Sequence, residues 1–147
     1  MIEYDSLIPY LLTNATALAL VFLAFKRHRL TRLIFILIFL LAGLFNIYTI
    51  LTKPEFFNHY GDKAFLDIYK SFINGYFSHH IQQVVGFIGL GQILVAVLLS
   101  AGGRWVHLGV LGGIIFFIAL IPLGVSAAFP AMLLFIVALV LMQYRIQ

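Results

Sequence analysis

Long apolar runs separated by short polar clusters set the pattern of this chain. The first run covers residues 7 to 25, LIPYLLTNATALALVFLAF, and holds only small polar side chains at Thr13, Asn14 and Thr16 in its core. Nineteen residues rising about 1.5 Å each approach the roughly 30 Å of a bilayer's hydrocarbon core. Ser6 is placed to cap the helix, and Pro9 falls in its first turn, where a missing N–H costs little. A second run covers residues 33 to 51 and stops at Lys53-Pro54, since proline disfavours helix in the residue before it. A third covers residues 81 to 100 and is closed by Gly102 and Gly103.

The chain is then apolar for 40 residues, from Trp105 to Tyr144. One span needs roughly 17–25 residues, so this run predicts two. The break is PLGVSAAFP, residues 122 to 130, where Pro122, Pro130, Gly124 and Ser126 favour a tight reversal. The fourth and fifth spans are expected at about 105–121 and 127–142. The reading is an all-α membrane protein of five transmembrane helices, forming one membrane domain over residues 1–147.

Between the second and third runs the pattern changes. At 100° per residue, Phe65, Leu66, Ile68, Tyr69, Phe72, Ile73, Tyr76 and Phe77 fill one half of a helical wheel. Asp67, Lys70, Ser71 and Asn74 fill the other, with Gly75 at the boundary. This predicts an amphipathic interfacial helix over about 62–77, with Asp62 as a candidate cap. Its apolar half is aromatic, which suits the headgroup region, and Phe56, Phe57 and Tyr60 extend the patch.

Composition agrees: 63% of residues are hydrophobic and 10% charged, against roughly 25% charged in a soluble domain. The absence of cysteine excludes thiol–disulfide relays, iron–sulfur clusters and thiolate zinc sites. The net charge of +4 reads as membrane topology rather than nucleic-acid binding, because the basic residues flank the spans.

Charge placement supplies an orientation. With the N-terminus outside, Lys26, Arg27, Arg29, Arg32, Arg104 and Arg145 fall inside, and Lys53, Lys63 and Lys70 outside. All five acids, Glu3, Asp5, Glu55, Asp62 and Asp67, fall outside. The positive-inside bias therefore favours an N-terminus outside and a C-terminus inside. The expected location is the bacterial cytoplasmic (inner) membrane, which the charges themselves do not specify. The acids that precede the first run also argue against a cleaved signal peptide, which carries positive charge there.

Candidate chemistry is sparse. No Asp, Glu, Lys or Arg falls inside a predicted span, which argues against ion pumping and a buried Schiff base. His28 and His107 belong to the inner interface; His59, His79 and His80 belong to the outer one. Neighbours on a helix point about 100° apart, so His79 and His80 do not easily share a metal. His59 with one of them and Asp62 or Glu55 is the one set with the chemistry for zinc or acid–base work. Packing without a ligand is the plainer reading, and no metal or cofactor is predicted.

The deep amides and hydroxyls are Asn14, Asn46, Tyr48, Gln82, Gln83, Gln92 and Ser126. Bonding across helices is their default role. The functional alternative is an outer cleft for a quinone or lipid, built from Asn46, Tyr48 and Gln83 with His59, Tyr69, Tyr76, His79 and His80. Gly86 and Gly89 on the third span, with the Gly109–Gly113 pair on the fourth, are expected to let helices approach, with Gln92 as interhelical glue. The GLGQ at residues 89–92 lies within an apolar span and not after a strand, so it is no phosphate loop.

TRLIFILIFLLAGLFNIY, residues 31 to 48, resembles the first helix of DoxX-like small integral membrane proteins: an inner arginine, then an apolar run broken by Ala-Gly. GFIGLGQILVAVLLSAGGRW, residues 86 to 105, is similar to their second helix and the turn after it. The resemblance covers about residues 31–143 and implies a four-helix bundle, here with an extra N-terminal helix. The family often carries a glutamate where this chain has Gln92, and that departure argues against proton handling. The family is named for a subunit of a thiosulfate:quinone oxidoreductase. The resemblance thus implies a non-catalytic membrane subunit or scaffold in a quinone-linked redox complex. Its partners would be other subunits or further copies of itself, reached through the spans and the aromatic helix. The competing expectation is a lipid- or quinone-binding enzyme or carrier with its site at the outer face.

Overall fold

A computed structural model describes residues 4–55, 66–77, 79–123 and 128–146, with side chains from Leu7 onward. Six α-helices carry the described chain, and no strand occurs among these residues: α1 (Tyr4–Lys26), α2 (His28–Thr52), α3 (Asp67–Phe72), α4 (Ile81–Ala101), α5 (Arg104–Leu120) and α6 (Ala131–Ile146). Helices α1, α2, α4 and α5 are long and apolar enough to cross a membrane; α6, with 16 residues, is shorter.

Helix α1 starts at Tyr4, three residues before the expected Leu7, and the bounds differ further in three other elements. Helix α2 starts five residues before Leu33, because nothing in HRLTR breaks a helix; Arg27 alone (φ −142°, ψ 70°) separates it from α1. Helix α6 starts at Ala131 rather than 127; the Pro130 carbonyl accepts from Leu134 N at 3.4 Å, the α-helical spacing, and from Leu133 N at 3.0 Å. Among the described residues, the amphipathic segment expected over 62–77 is α-helical over Asp67–Phe72 and then widens into a π turn over Ile73–Phe77. Asn74 and Gly75 sit in that turn, and both are weak α-helix formers.

The long helices alternate in direction along the chain. Arg32 near the start of α2 donates from Nε to the Leu99 carbonyl near the end of α4 at 2.5 Å, while Gln82 at the start of α4 donates to the Ile50 carbonyl near the end of α2 at 3.2 Å. Helix α5 returns along α4, with Gly109 against Leu99 and Gly112 against Val95. Helix α6 returns along α5, where the rings of Phe117 and Phe135 stack with centroids 5.0 Å apart. Helix α1 lies parallel to α6 and is tied to its start: Tyr10 donates to the Phe129 carbonyl at 2.9 Å, and Asn14 to the Ala128 carbonyl at 3.2 Å.

The core follows from these pairings. Phe35 and Phe39 of α2 meet Phe117 of α5, with centroids 6.4 and 5.3 Å away, and Phe35 meets Phe135 edge-on at 6.2 Å. Leu99, Val106, Leu139 and Met142 complete the buried centre. Faces turned away from it are apolar too: Phe22, Leu41, Phe87, Leu94 and Ile115 are all at least half exposed. A helix that is apolar all round is at home in lipid.

Glycine permits the closest approach. A Cβ on Gly43 would sit 2.7 Å from the Gly89 carbonyl oxygen, and one on Gly89 would sit 3.1 Å from that of Gly43. Helices α2 and α4 therefore touch backbone to backbone. Gly109 is equally confined, its Cβ position being 2.9 Å from Leu99 N. Gly113 faces side chains of Leu139 and Phe39, so the GxxxG pair addresses different neighbours and is no single docking stripe. At Gly86 a Cβ would make only ordinary contact with Ile50 at 3.4 Å.

Candidate functional site

The bundle has two chemically different ends. One carries α3, and the starts of α1, α4 and α6 and the end of α2 lie at that end. The other gathers Lys26, Arg27, Arg29, Arg32, Arg104 and Arg145 at helix ends. This follows from the alternating helix directions, and it separates the basic cluster from Glu55 and Asp67.

At the α3 end the amphipathic segment splits its apolar residues between two faces. Ile73 and Phe77 are buried against Ile50, Val85 and Leu123, with Tyr69 half-buried beside them. Ile68, Phe72 and Tyr76 point away and are 73%, 44% and 57% exposed. The π turn contributes to this split by changing the angular step between Phe72 and Phe77.

The exposed face is ordered by ring stacking. Phe72 and Tyr76 stack with centroids 5.8 Å apart, and Tyr76 and His80 at 4.2 Å with only 13° between planes. His80 Nδ1–H donates to the Tyr76 carbonyl at 2.9 Å, which leaves Nε2 of a neutral ring as the acceptor. The result is a ladder of three flat side chains at i, i+4, i+8 spacing. Beside it, Ile68, Tyr69 and Phe72 line an apolar cleft of about 330 Å³.

The other residues expected at a common cleft lie elsewhere. Asn46 donates to Gln92 Oε1 at 2.6 Å inside the α2–α4 contact. Tyr48 is 66% exposed on α2, and His79 and Gln83 are exposed. His59 lies outside the described residues, as do Phe56, Phe57, Tyr60, Asp62, Phe65, Gly124 and Ser126. Among the described residues, no group of three His, Asp or Glu side chains is placed to hold a metal ion. His107 at the basic end is hydrogen-bonded to Gln143 of α6.

Sequence reasoning treated the amphipathic helix as one apolar half and so missed the Phe72–Tyr76–His80 ladder. The four-residue spacing was the available signal. It also read Arg29 and Arg32 only as charges that set topology. Their positions relative to Leu33 and Ile36 mark a single face of α2, and the structure places that face beside Ser100 of α4 around a cleft of about 300 Å³.

Fold and surface together define a multi-pass helical membrane protein. No family model matches the chain, and neither a curated protein nor a solved structure matches it.

Proposed function

We propose that this chain is a five-span, non-catalytic membrane subunit or scaffold, and that the exposed Ile68–Phe72–Tyr76 face is where a partner subunit docks. The observation that carries the reading is that face. It is an exposed surface with stacked aromatic rings, and large aromatic side chains supply contact area at low entropic cost. The deep amides support the same reading, because Asn46 and Gln92 satisfy each other and so serve packing. The resemblance to DoxX-like proteins suggests a quinone-linked redox complex as the setting.

The fifth span in this proposal is α6. Its 16 residues rise about 24 Å, with Tyr144 and Arg145 in the last turn at the interface. The basic end faces the cytoplasm of a bacterial inner membrane, by the positive-inside bias, and the α3 end faces outward. The test is co-purification after mild detergent extraction. Larger subunits are expected at fixed stoichiometry, and Phe72→Glu should release them. A stable lone species with turnover of its own would overturn the proposal.

The cleft of Ile68, Tyr69 and Phe72 favours a second reading, a flat apolar ligand such as a quinone or a lipid chain held beside the ladder. On that reading His80→Ala lowers the affinity of a purified chain for a short-chain quinone. Partner release without any change in quinone binding would favour the scaffold.

A further inference from the structure

The cleft at the basic end has its own chemistry, separate from the docking role of α3. Arg29, Arg32, Leu33 and Ile36 are spaced i, i+3, i+4, i+7, so they share one face of α2. With Ser100 of α4 they line an open cleft of about 300 Å³. The two cations lie at the helix end, and the two aliphatic side chains follow toward the middle of the bundle. Charge above and hydrocarbon below is the profile of a phospholipid seen from the side.

Arg32 is held in place. Its Nε–H bond to the Leu99 carbonyl satisfies one of the last orphan acceptors of α4 and uses one of five guanidinium N–H donors. Ser100 donates its own hydroxyl hydrogen to the Val97 carbonyl at 2.7 Å, so its oxygen is not the donor that an anion would need. The arginines must supply that. Among the described residues no carboxylate side chain competes for them: the chain has no Asp or Glu between Asp5 and Glu55 or after Asp67. Glu55 and Asp67 flank the opposite end of the bundle.

We infer that Arg29 and Arg32 hold the phosphate of an anionic phospholipid, with an acyl chain lying along Leu33 and Ile36. Guanidinium groups bind phosphate oxygens through paired, charge-assisted N–H donors. Basic pockets between membrane helices suit anionic headgroups for the same reason. A free phosphate shares the headgroup chemistry but gains nothing from Leu33 and Ile36, so the two sources separate by experiment.

The full chain in neutral detergent is titrated with phosphatidylglycerol and with phosphatidylcholine, and bound lipid is read by native mass spectrometry. Phosphatidylglycerol is expected to be retained in preference to phosphatidylcholine. Arg29 is exposed, so Arg29→Gln leaves the fold intact; binding should become about tenfold weaker, the scale of one lost charge-assisted contact. Arg145→Gln removes the same charge at the same end but outside the cleft, and should change binding by less than about twofold. Arg32→Lys keeps the charge but not the planar fork, and should weaken binding where the protein still elutes as the native species. Inorganic phosphate should not displace the lipid. Equal losses in Arg29→Gln and Arg145→Gln would reduce the effect to diffuse charge and overturn the site. Equal binding of phosphatidylcholine, or displacement by inorganic phosphate, would overturn it too.

Discussion

The Asn46 amide donates to Gln92 Oε1 across 2.6 Å, joining α2 to α4 just beside the backbone contact of Gly43 with Gly89. Gln92 is buried and Asn46 half-buried. In hydrocarbon an amide without a partner is costly, so each residue makes the other tolerable. The pair also fixes which turn of α2 faces which turn of α4, something that apolar side chains alone specify weakly.

That pairing predicts coupled energetics. Gln92→Leu and Asn46→Leu should each destabilise the protein, and the double variant should recover part of the loss. The interaction energy from a double-mutant cycle is expected at about 0.5–2 kcal/mol. Thermal unfolding in detergent, followed by circular dichroism, measures it. Additive losses would show that the two amides act independently.

Gly43 and Gly91 form a matched pair for testing the close approach. A methyl group at Gly43 meets the Gly89 carbonyl, whereas nothing lies within 4 Å of a Cβ at Gly91. Gly43→Ala should therefore cost about 1–3 kcal/mol. Gly91→Ala should be neutral or stabilising by up to about 1 kcal/mol, since alanine is the better helix former. The same unfolding assay distinguishes them.

The attachment of α1 includes polar contacts at one end. Tyr10 and Asn14 both donate to carbonyls just before α6. A Tyr10→Phe, Asn14→Leu double variant should lose about 1–3 kcal/mol and expose α1 to protease first. Limited proteolysis should then release a fragment that starts near the α1–α2 junction. Unchanged cleavage would place the attachment in Ala17, Leu20 and Ala24, which are buried in the core.

The topology is open to direct labelling, because the chain contains no cysteine. Single cysteines at Lys53, Arg104 and Arg145 report their side through a membrane-impermeant maleimide. Lys53→Cys should react in intact cells, and Arg104→Cys and Arg145→Cys only after permeabilisation. Labelling of Arg104→Cys and Arg145→Cys on opposite sides would remove α6 from the set of spans.

The sequence by itself determined the helical membrane class, the positions of α1, α2, α4 and α5 to within a few residues, and the break before α6. Hydrocarbon length and the need to satisfy every backbone amide leave few alternatives for runs as apolar as these. It determined less about contacts. In a chain that is apolar on every face, periodicity does not say which face meets protein and which meets lipid. Gly43 stood out only as part of the Ala-Gly break and Gly86 as the packing residue, although Gly43 makes the close approach. The amphipathic pattern of residues 65 to 77 read as one surface, and only packing against Ile50, Val85 and Leu123 divided it into a buried row and the exposed Phe72–Tyr76–His80 ladder. The tertiary structure likewise turned two basic residues into a cleft by bringing Leu99 and Ser100 beside them. Their separation from Arg32 by 67 and 68 positions along the chain places that juxtaposition beyond any local pattern.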